Sequence, residues 1–326
     1  MPVDKKFHVN QDDARIFLSR YHGVEIEGLE PLHGGEWSTA YGYSTTNQAL
    51  VARFSQYDDD FRNDAFVNRF SNPLLPIPRL HDYGEYHDLG YYAISQRVEG
   101  EVLEDSGNLA KNRLAPVLAS VVGQIMCADI SQTSGYGLFN EQGNGEHANW
   151  TGLLKSVRLD DQDSRIHGWR HKLAGRRDLM NAFDSAYRVL AGLCEQIKPE
   201  RSLAHNDLIN RNVMFNGLQV SGVFDWGFAM YADKPYDLAK LTFFEPIYEP
   251  IKGIDWESLV LSKYGEGVKS QRQYSGRLLA CLLYVGLETQ TFYASEENWD
   301  YVNVLSERVG QILYSDRFRS IVSEQA

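Results

Sequence analysis

Between Leu203 and Gly227 the chain gathers the side chains best suited to chemistry: His205, Asp207, Asn212 and Asp225. Asn212 stands five residues beyond Asp207, and Asp225 eighteen. Two carboxylates and an amide oxygen are hard donors of the kind Mg²⁺ prefers. A carboxylate outside the metal shell could instead orient a hydroxyl and accept its proton. An isolated Asp or Asn near a turn usually caps a helix or closes an Asx-turn. The ordered set has no such local purpose, so it is the candidate centre.

The neighbouring residues say how such a set could converge. Val213 to Phe215 and Val220 to Phe224 are short apolar runs around the turn dipeptide Asn216-Gly217, which predicts a β-hairpin. Its open end would bring Asp207, Asn212 and Asp225 together. Upstream, residues 35–44 and 49–54 read as strands joined by a turn at 45–48, and residues 79–83 and 90–98 as two more. Asn10 can cap a first helix with Asp13 in its first turn. The segment 58–70 has helical character and ends at Leu75-Pro76-Ile77-Pro78. From Leu114 the pattern changes: Leu114, Val117, Leu118, Val121, Val122, Ile125 and Met126 have helical spacing. Residues 182–197 and the apolar run Leu278 to Leu287 are further helices. The expected class is α+β: a small antiparallel β lobe over residues 1–98, a hinge at about 95–100, and a larger, mainly helical lobe over 99–326.

Composition narrows the function classes. The chain of 326 residues holds 32 Lys and Arg against 44 Asp and Glu, a formal charge of −12. Binding nucleic acid through bulk charge needs the opposite balance; a cationic partner suits this one. A negative ligand would need concentrated positive groups or a metal. No apolar run reaches the roughly 18 residues of a membrane span, and the N-terminus lacks a secretory pattern. Cys127, Cys194 and Cys281 are too few and too far apart for a disulfide framework or a zinc site. All three lie in apolar helical patterns and read as buried thiols. A reducing, cytoplasmic setting and a monomer are expected, with no membrane or nucleic-acid partner. Gly143-Asn144-Gly145-Glu146-His147-Ala148 matches a dinucleotide fingerprint, but no strand precedes it.

The order His-x-Asp, then Asn, then apolar-Asp-Trp repeats that of the protein-kinase catalytic loop and its metal-binding successor. With Pro235-Tyr236-Asp237-Leu238-Ala239 it resembles the aminoglycoside phosphotransferases, enzymes of protein-kinase-like bilobal fold. Leu75-Pro76-Ile77-Pro78, Tyr92-Ala93-Ile94-Ser95 and the stretch from Asp129 to Gly137 resemble the hygromycin B phosphotransferase branch. The likeness runs over about residues 30–245. It implies Asp207 as catalytic base or aligner of the acceptor hydroxyl, and Asn212 and Asp225 as Mg²⁺ ligands. Arg53 in Val51-Ala52-Arg53 would take the place of the phosphate-binding lysine, with Asp64, or alternatively Asp60, as its acidic partner. Ser38, after His33-Gly34-Gly35-Glu36, could donate to a phosphate, and the backbones of Gln96 and Val98 would meet the adenine. Asn206 stands where the family often has glycine, and asparagine tolerates positive φ. His205 reads as a structural residue, and Asp237 as a helix brace.

The activity implied is ATP- and Mg²⁺-dependent O-phosphorylation of an aminoglycoside or aminocyclitol hydroxyl, as in hygromycin B resistance, with GTP not excluded. Glu245 and Glu288, on the acidic and aromatic C-terminal elements, are the candidate contacts to a cationic acceptor. A metabolic kinase of choline, homoserine or a sugar is the alternative reading. A non-catalytic nucleotide-binding protein is another.

Overall fold

The computed structural model describes residues 6–32, 37–105, 108–209, 211–264 and 273–325. In chain order the N-terminal elements are α1 (Gln11–His22), β1 (Glu27–Pro31), β2 (Ser38–Thr45), β3 (Gln48–Ser55), α2 (Asp59–Val67), β4 (Leu80–Tyr86), β5 (Gly90–Gln96) and β6 (Glu101–Val102). Next come α3 (Asn108–Met126), β7 (Tyr136–Phe139), β8 (Gly145–His147), α4 (Trp150–Ser156), α5 (Trp169–Ala174), α6 (Arg177–Leu193) and β9 (Arg201–Ala204). The remainder is β10 (Val213–Asn216), β11 (Gln219–Val223), β12 (Met230–Asp233), α7 (Tyr236–Phe244), α8 (Trp256–Tyr264), α9 (Tyr274–Ser295), α10 (Trp299–Leu313) and α11 (Arg319–Ser323). By internal contact the chain forms two compact units. One joins Met1–Ser106 to Asp207–Ala229, and the other joins Gly107–Asn206 to Met230–Ala326.

The first unit is built on an antiparallel sheet in the order β1-β2-β3-β5-β4. Alternation along β3 sends Leu50, Ala52 and Phe54 into a core that also holds Leu18, Tyr43, Tyr86 and Ile94. Arg53 lies on the opposite face of the same strand. The β2–β3 turn is a two-residue loop, since Thr45 pairs with Gln48. Helix α1 begins where Asn10 Oδ1 accepts from Asp13 N (2.9 Å) and stops at Gly23 with φ of 67°.

A second, three-stranded sheet, β11-β10-β6, completes this unit. The β10–β11 hairpin pairs Val213 with Val223 and Asn216 with Gln219. Its turn is therefore Gly217-Leu218, one residue later than the Asn216-Gly217 dipeptide suggests. A Cβ on Gly222 would lie 2.9 Å from Val98 Cγ2, so the absence of a side chain lets Val98 settle on the hairpin.

The second unit is mainly helical. Its four-stranded sheet runs β8-β7-β12-β9. Helix α9 is apolar on nearly every side and is buried along most of its length, as a central helix must be. The one cation in its buried stretch, Arg277, meets Asp233 through Nε and Oδ2 at 2.8 Å. Asp233 also accepts from Glu200 N (2.7 Å). Cys194 and Cys281 are buried, but Cys127 is exposed. It lies just past the end of α3, where the apolar stripe that suggested burial has already ended.

Candidate active site

The hairpin explains how residues distant in sequence become neighbours. Val213 faces Val223, so Asn212 and Phe224 are the next pair outward, and Phe224 N donates to Asn212 O (3.0 Å). Asp225 follows directly. Asn212 is buried, and its Nδ2 donates both to Asp207 O (2.7 Å) and to Asp207 Oδ2 (2.9 Å). The carboxylate of Asp207 is thus held by the amide whose oxygen faces the other way. Asp207 and Asn212 are bonded to each other at the mouth of the hairpin, and Asp225 is joined to them through the backbone pair of Phe224 and Asn212.

On the other side of Asp225 stands the β3–α2 pair. Arg53 makes an ion pair and hydrogen bond with Asp64 of α2, and its Nη1 lies 4.0 Å from Asp225 Oδ1. Asp64 uses its second oxygen, Oδ1, to accept from Trp226 N (3.0 Å). Asn63 Nδ2 donates to Gly227 O (2.8 Å). Helix α2 therefore grips the segment 225–227 at two points and orients Arg53 with the same carboxylate. Asp60, the alternative partner for Arg53, faces Gly227: a Cβ there would lie 2.8 Å from its Oδ1. Burial pushes the Asp225 carboxyl up, Arg53 pulls it down, Asp64 adds to the rise, and the net direction is upward. For Arg53 desolvation acts downward, but the charges of Asp64 and Asp225 prevail and raise it.

Three non-glycine residues in this stretch have left-handed backbones: Asn206 (φ 67°), Arg211 (φ 66°) and Asp225 (φ 62°). Such residues persist only where surroundings over-determine them, and they cluster at functional sites. Arg211 is pinned by a fork onto Asp105 (2.8 and 2.6 Å) and by Glu104 Oε1 accepting from its N (2.9 Å). Asn206 is held within the helical unit. Asp237, in the first turn of α7, accepts from His205 N (2.8 Å) and Asn206 N (3.0 Å). Asp237 thus braces the catalytic-type loop rather than a helix end. Lys240 and Tyr236 also hold Asn206, and the sequence alone did not single them out for this. Their only signal was a spacing of one helical turn on α7.

The remaining sequence candidates have mixed surroundings. Ser38 sits at the start of β2 opposite Ser55; the glycine loop at 33–36 lies outside the described residues. Gln96 N already donates to Arg79 O (2.9 Å), which leaves only its carbonyl for a ligand. Val98 packs over Gly222. Glu245 Oε1 accepts from Gly253 N (2.6 Å). Glu288 lies on α9 in the electrostatic reach of Lys240, Tyr236 and Tyr284, and burial raises its carboxyl against the pull of Lys240. Rings of Trp150, Tyr236 and Tyr284 lie 6.2 to 6.4 Å apart in the same unit, and Glu146 also acts on Tyr284. Glu245 and Glu288 are in different settings: the first serves a loop, the second an aromatic cluster.

The donor chemistry of Asn212 and Asp225 fits a hard divalent cation. The Asn212 nitrogen is spent on Asp207, so its oxygen is the atom left to ligate. Asp225 keeps 45% of its side chain exposed. Among the described residues no three His, Cys, Asp or Glu side chains gather as a metal cage.

The chain belongs to the phosphotransferase enzyme family, whose model matches residues 28–251. It is 28% identical over 267 residues to hygromycin-B 4-O-kinase of Escherichia coli, spanning 81% of this chain and 74% of that protein. Its fold is that of the protein-kinase-like aminoglycoside phosphotransferases. A thermostable mutant of aminoglycoside phosphotransferase APH(4)-Ia, in ternary complex with AMP-PNP and hygromycin B, has a TM-score of 0.78 at 26% identity, over 91% of this chain and 97% of that one. The GDP complex of an aminoglycoside 2'-phosphotransferase-IIIa mutant shares the fold at 14% identity, with a TM-score of 0.62 over 93% of this chain and 97% of that one. No described helix is long and apolar enough to cross a membrane.

Proposed function

We propose that the protein is an ATP- and Mg²⁺-dependent O-phosphotransferase that modifies a hydroxyl of an aminoglycoside or aminocyclitol of the hygromycin B kind and so confers resistance. The observation that carries this reading is the linked group Asp207–Asn212–Asp225. It offers a carboxylate fixed by an amide, an amide oxygen and a second carboxylate. Asp207 aligns the acceptor hydroxyl and takes its proton as the oxygen attacks the γ-phosphorus. The new O–P bond forms, the bond to the β-phosphate oxygen breaks, and ADP leaves. Asn212 and Asp225 would hold Mg²⁺, which neutralises phosphate charge when bound. Arg53, oriented by Asp64, supplies a fixed fork for phosphate oxygens. Positioning and charge neutralisation supply most of the acceleration in this chemistry.

Ser38 and the backbones at Gln96 and Val98 belong to the proposed nucleotide side, with the Gln96 carbonyl as its available group. Residues 1–98 then serve the nucleotide, and residues 99–326 catalysis and the acceptor. A cationic acceptor is supported by the net charge of −12 and by Glu288, whose carboxylate can pair with an ammonium group. Glu245 is the weaker contact, because a backbone donor already occupies it. A cytoplasmic monomer completes the proposal.

The test is ADP release with ATP and Mg²⁺ across hygromycin B, other aminoglycosides, choline, homoserine and sugars. Hygromycin B or a close aminocyclitol should give the highest kcat/KM. Asp207→Asn should lower kcat roughly 10²–10⁴-fold while nucleotide affinity changes only a few-fold. Preference for choline, homoserine or a sugar would transfer the assignment to a metabolic kinase. No acceptor-dependent turnover at all would leave a nucleotide-binding protein without catalysis.

A further inference from the structure

Asn206 is the residue before Asp207, and its backbone is left-handed at φ 67°. Glycine adopts that conformation without steric cost, whereas asparagine, though tolerant, needs support. The support is explicit. Lys240 Nζ donates to the main-chain carbonyl oxygen of Asn206 and also to its Oδ1 (2.8 Å). Tyr236 OH donates to the same Oδ1 (2.9 Å), from a ring that is almost wholly buried. Asp237 accepts from Asn206 N (3.0 Å). The amide side chain, the carbonyl and the N–H are thus all held by α7, through residues 236, 237 and 240. The carbonyl carbon that Lys240 fixes through its oxygen is bonded to Asp207 N, so its orientation sets where the Asp207 side chain starts.

We propose that Lys240 and Tyr236 are positioning residues that lock Asn206 in its left-handed conformation and thereby aim Asp207. This rests on the phosphotransferase reading above for the role of Asp207, and adds which residues hold the geometry. Lys240 also lies within the electrostatic reach of Glu288.

The test is a pair of substitutions, Lys240→Met and Tyr236→Phe, each made in the parent and in an Asn206→Gly background and compared only within each background. In the parent, Lys240→Met should lower kcat roughly 10–100-fold, the range that small misplacement of a reacting group produces, with both KM values changing little. Tyr236→Phe should lower kcat by a smaller factor. With glycine at 206 the hydroxyl has no Oδ1 to hold and no left-handed strain to offset, so Tyr236→Phe should cost nothing. Lys240→Met should then cost less than in the parent. Lys240→Arg, which retains donors, should restore part of the lost kcat.

Equal losses for Tyr236→Phe in both backgrounds would overturn the proposal. So would a Lys240→Met enzyme with parental kcat and a raised acceptor KM, since Lys240 would then act on the ligand. Crystal structures of the two variants read the clamp without turnover. Residue 206 should leave positive φ in Lys240→Met and keep it when glycine is also present. An unmoved residue 206 in Lys240→Met refutes the clamp even if the enzyme is active. A parent without acceptor-dependent turnover refutes the phosphotransferase reading instead.

Discussion

Asp64 carries two connections at once, and removing them separately gives a quantitative test. Its Oδ2 pairs with Arg53 and its Oδ1 accepts from Trp226 N. The Arg53 and Asp64 side chains are 19% and 9% exposed, respectively, so the pair is largely withdrawn from water. Breaking a buried pair by removing one partner costs about 3–5 kcal/mol. Asp225 lies 4.0 Å from Arg53 and offsets part of the loss. Asp64→Asn can keep its one amide oxygen on Trp226 N but turns an NH2 toward Arg53, so it removes the ion pair, for which a hydrogen bond to an ion gives about 2 kcal/mol. Asp64→Leu also orphans Trp226 N, adding about 1–3 kcal/mol, for a total near 4 kcal/mol. The double variant Arg53→Met, Asp64→Leu removes both charges of the pair and should cost less than the sum of its singles by more than about 1 kcal/mol. Urea unfolding supplies the stabilities, and titration calorimetry with Mg-ATP the affinities. Asp64→Leu should weaken nucleotide binding more than Asp64→Asn does, because it alone releases the segment that carries Asp225. Equal stabilities for the two variants, or strict additivity in the double, would refute the reasoning.

Other outcomes follow from the same physical arguments. Arg277→Met should cost about 3–5 kcal/mol in urea unfolding, because Asp233 at 0% exposure keeps a charge with no cation beside it. Its nucleotide affinity should stay parental; a loss under about 1 kcal/mol would show the pair to be dispensable. Glu288 has a carboxyl raised chiefly by burial, so the folded chain holds that proton more tightly than the unfolded one. Stability from this group is therefore fully present below the ordinary glutamate range, falls as pH rises through the raised value, and is flat above it. Glu288→Gln should flatten that part of the stability–pH curve, and an unchanged slope would contradict it. Burial pushes the Cys194 thiol up to about 11 and raises that of Cys281 well above its ordinary value. A thiol reagent at neutral pH should therefore label Cys127 alone in the folded protein, and all three after denaturation.

The parts of the fold readable from sequence were those with a strict local period. Strands β2 to β5 alternate or sit between strong turn residues, and α3 repeats its apolar residues at helical spacing. Helix α9 is longer than its apolar run, extending eight residues beyond Leu287 and through Ser295, because the later turns mix polar and apolar positions. The short strands β1, β6, β7 and β8 carry no comparable pattern, and β6 and β7 also pair with β10 and β12, far away in sequence. Of the site, the order of Asp207, Asn212 and Asp225 was legible because hairpin register converts spacing directly into proximity. The pairing of Arg53 with Asp64 was implied by the resemblance to kinase-like enzymes, which left Asp60 as the alternative. The grip of Asp64 on Trp226 N was not legible, since a backbone donor leaves no trace in residue types. Nor was the hold of Lys240 on Asn206, which depends on where α7 packs.

The β10–β11 hairpin gives the protein a natural point of growth. Its mouth carries Asn212 and Asp225, while its tip is Gly217-Leu218, about 16 Å away at the rise of a strand. A Cβ at Gly217 would meet nothing within 4 Å, and Leu218 is 48% exposed. Extra residues spliced into the tip would add only a slowly rising closure entropy and leave the pairing beside the two ligands as it is. A reporter peptide inserted there would ride on the centre's own scaffold.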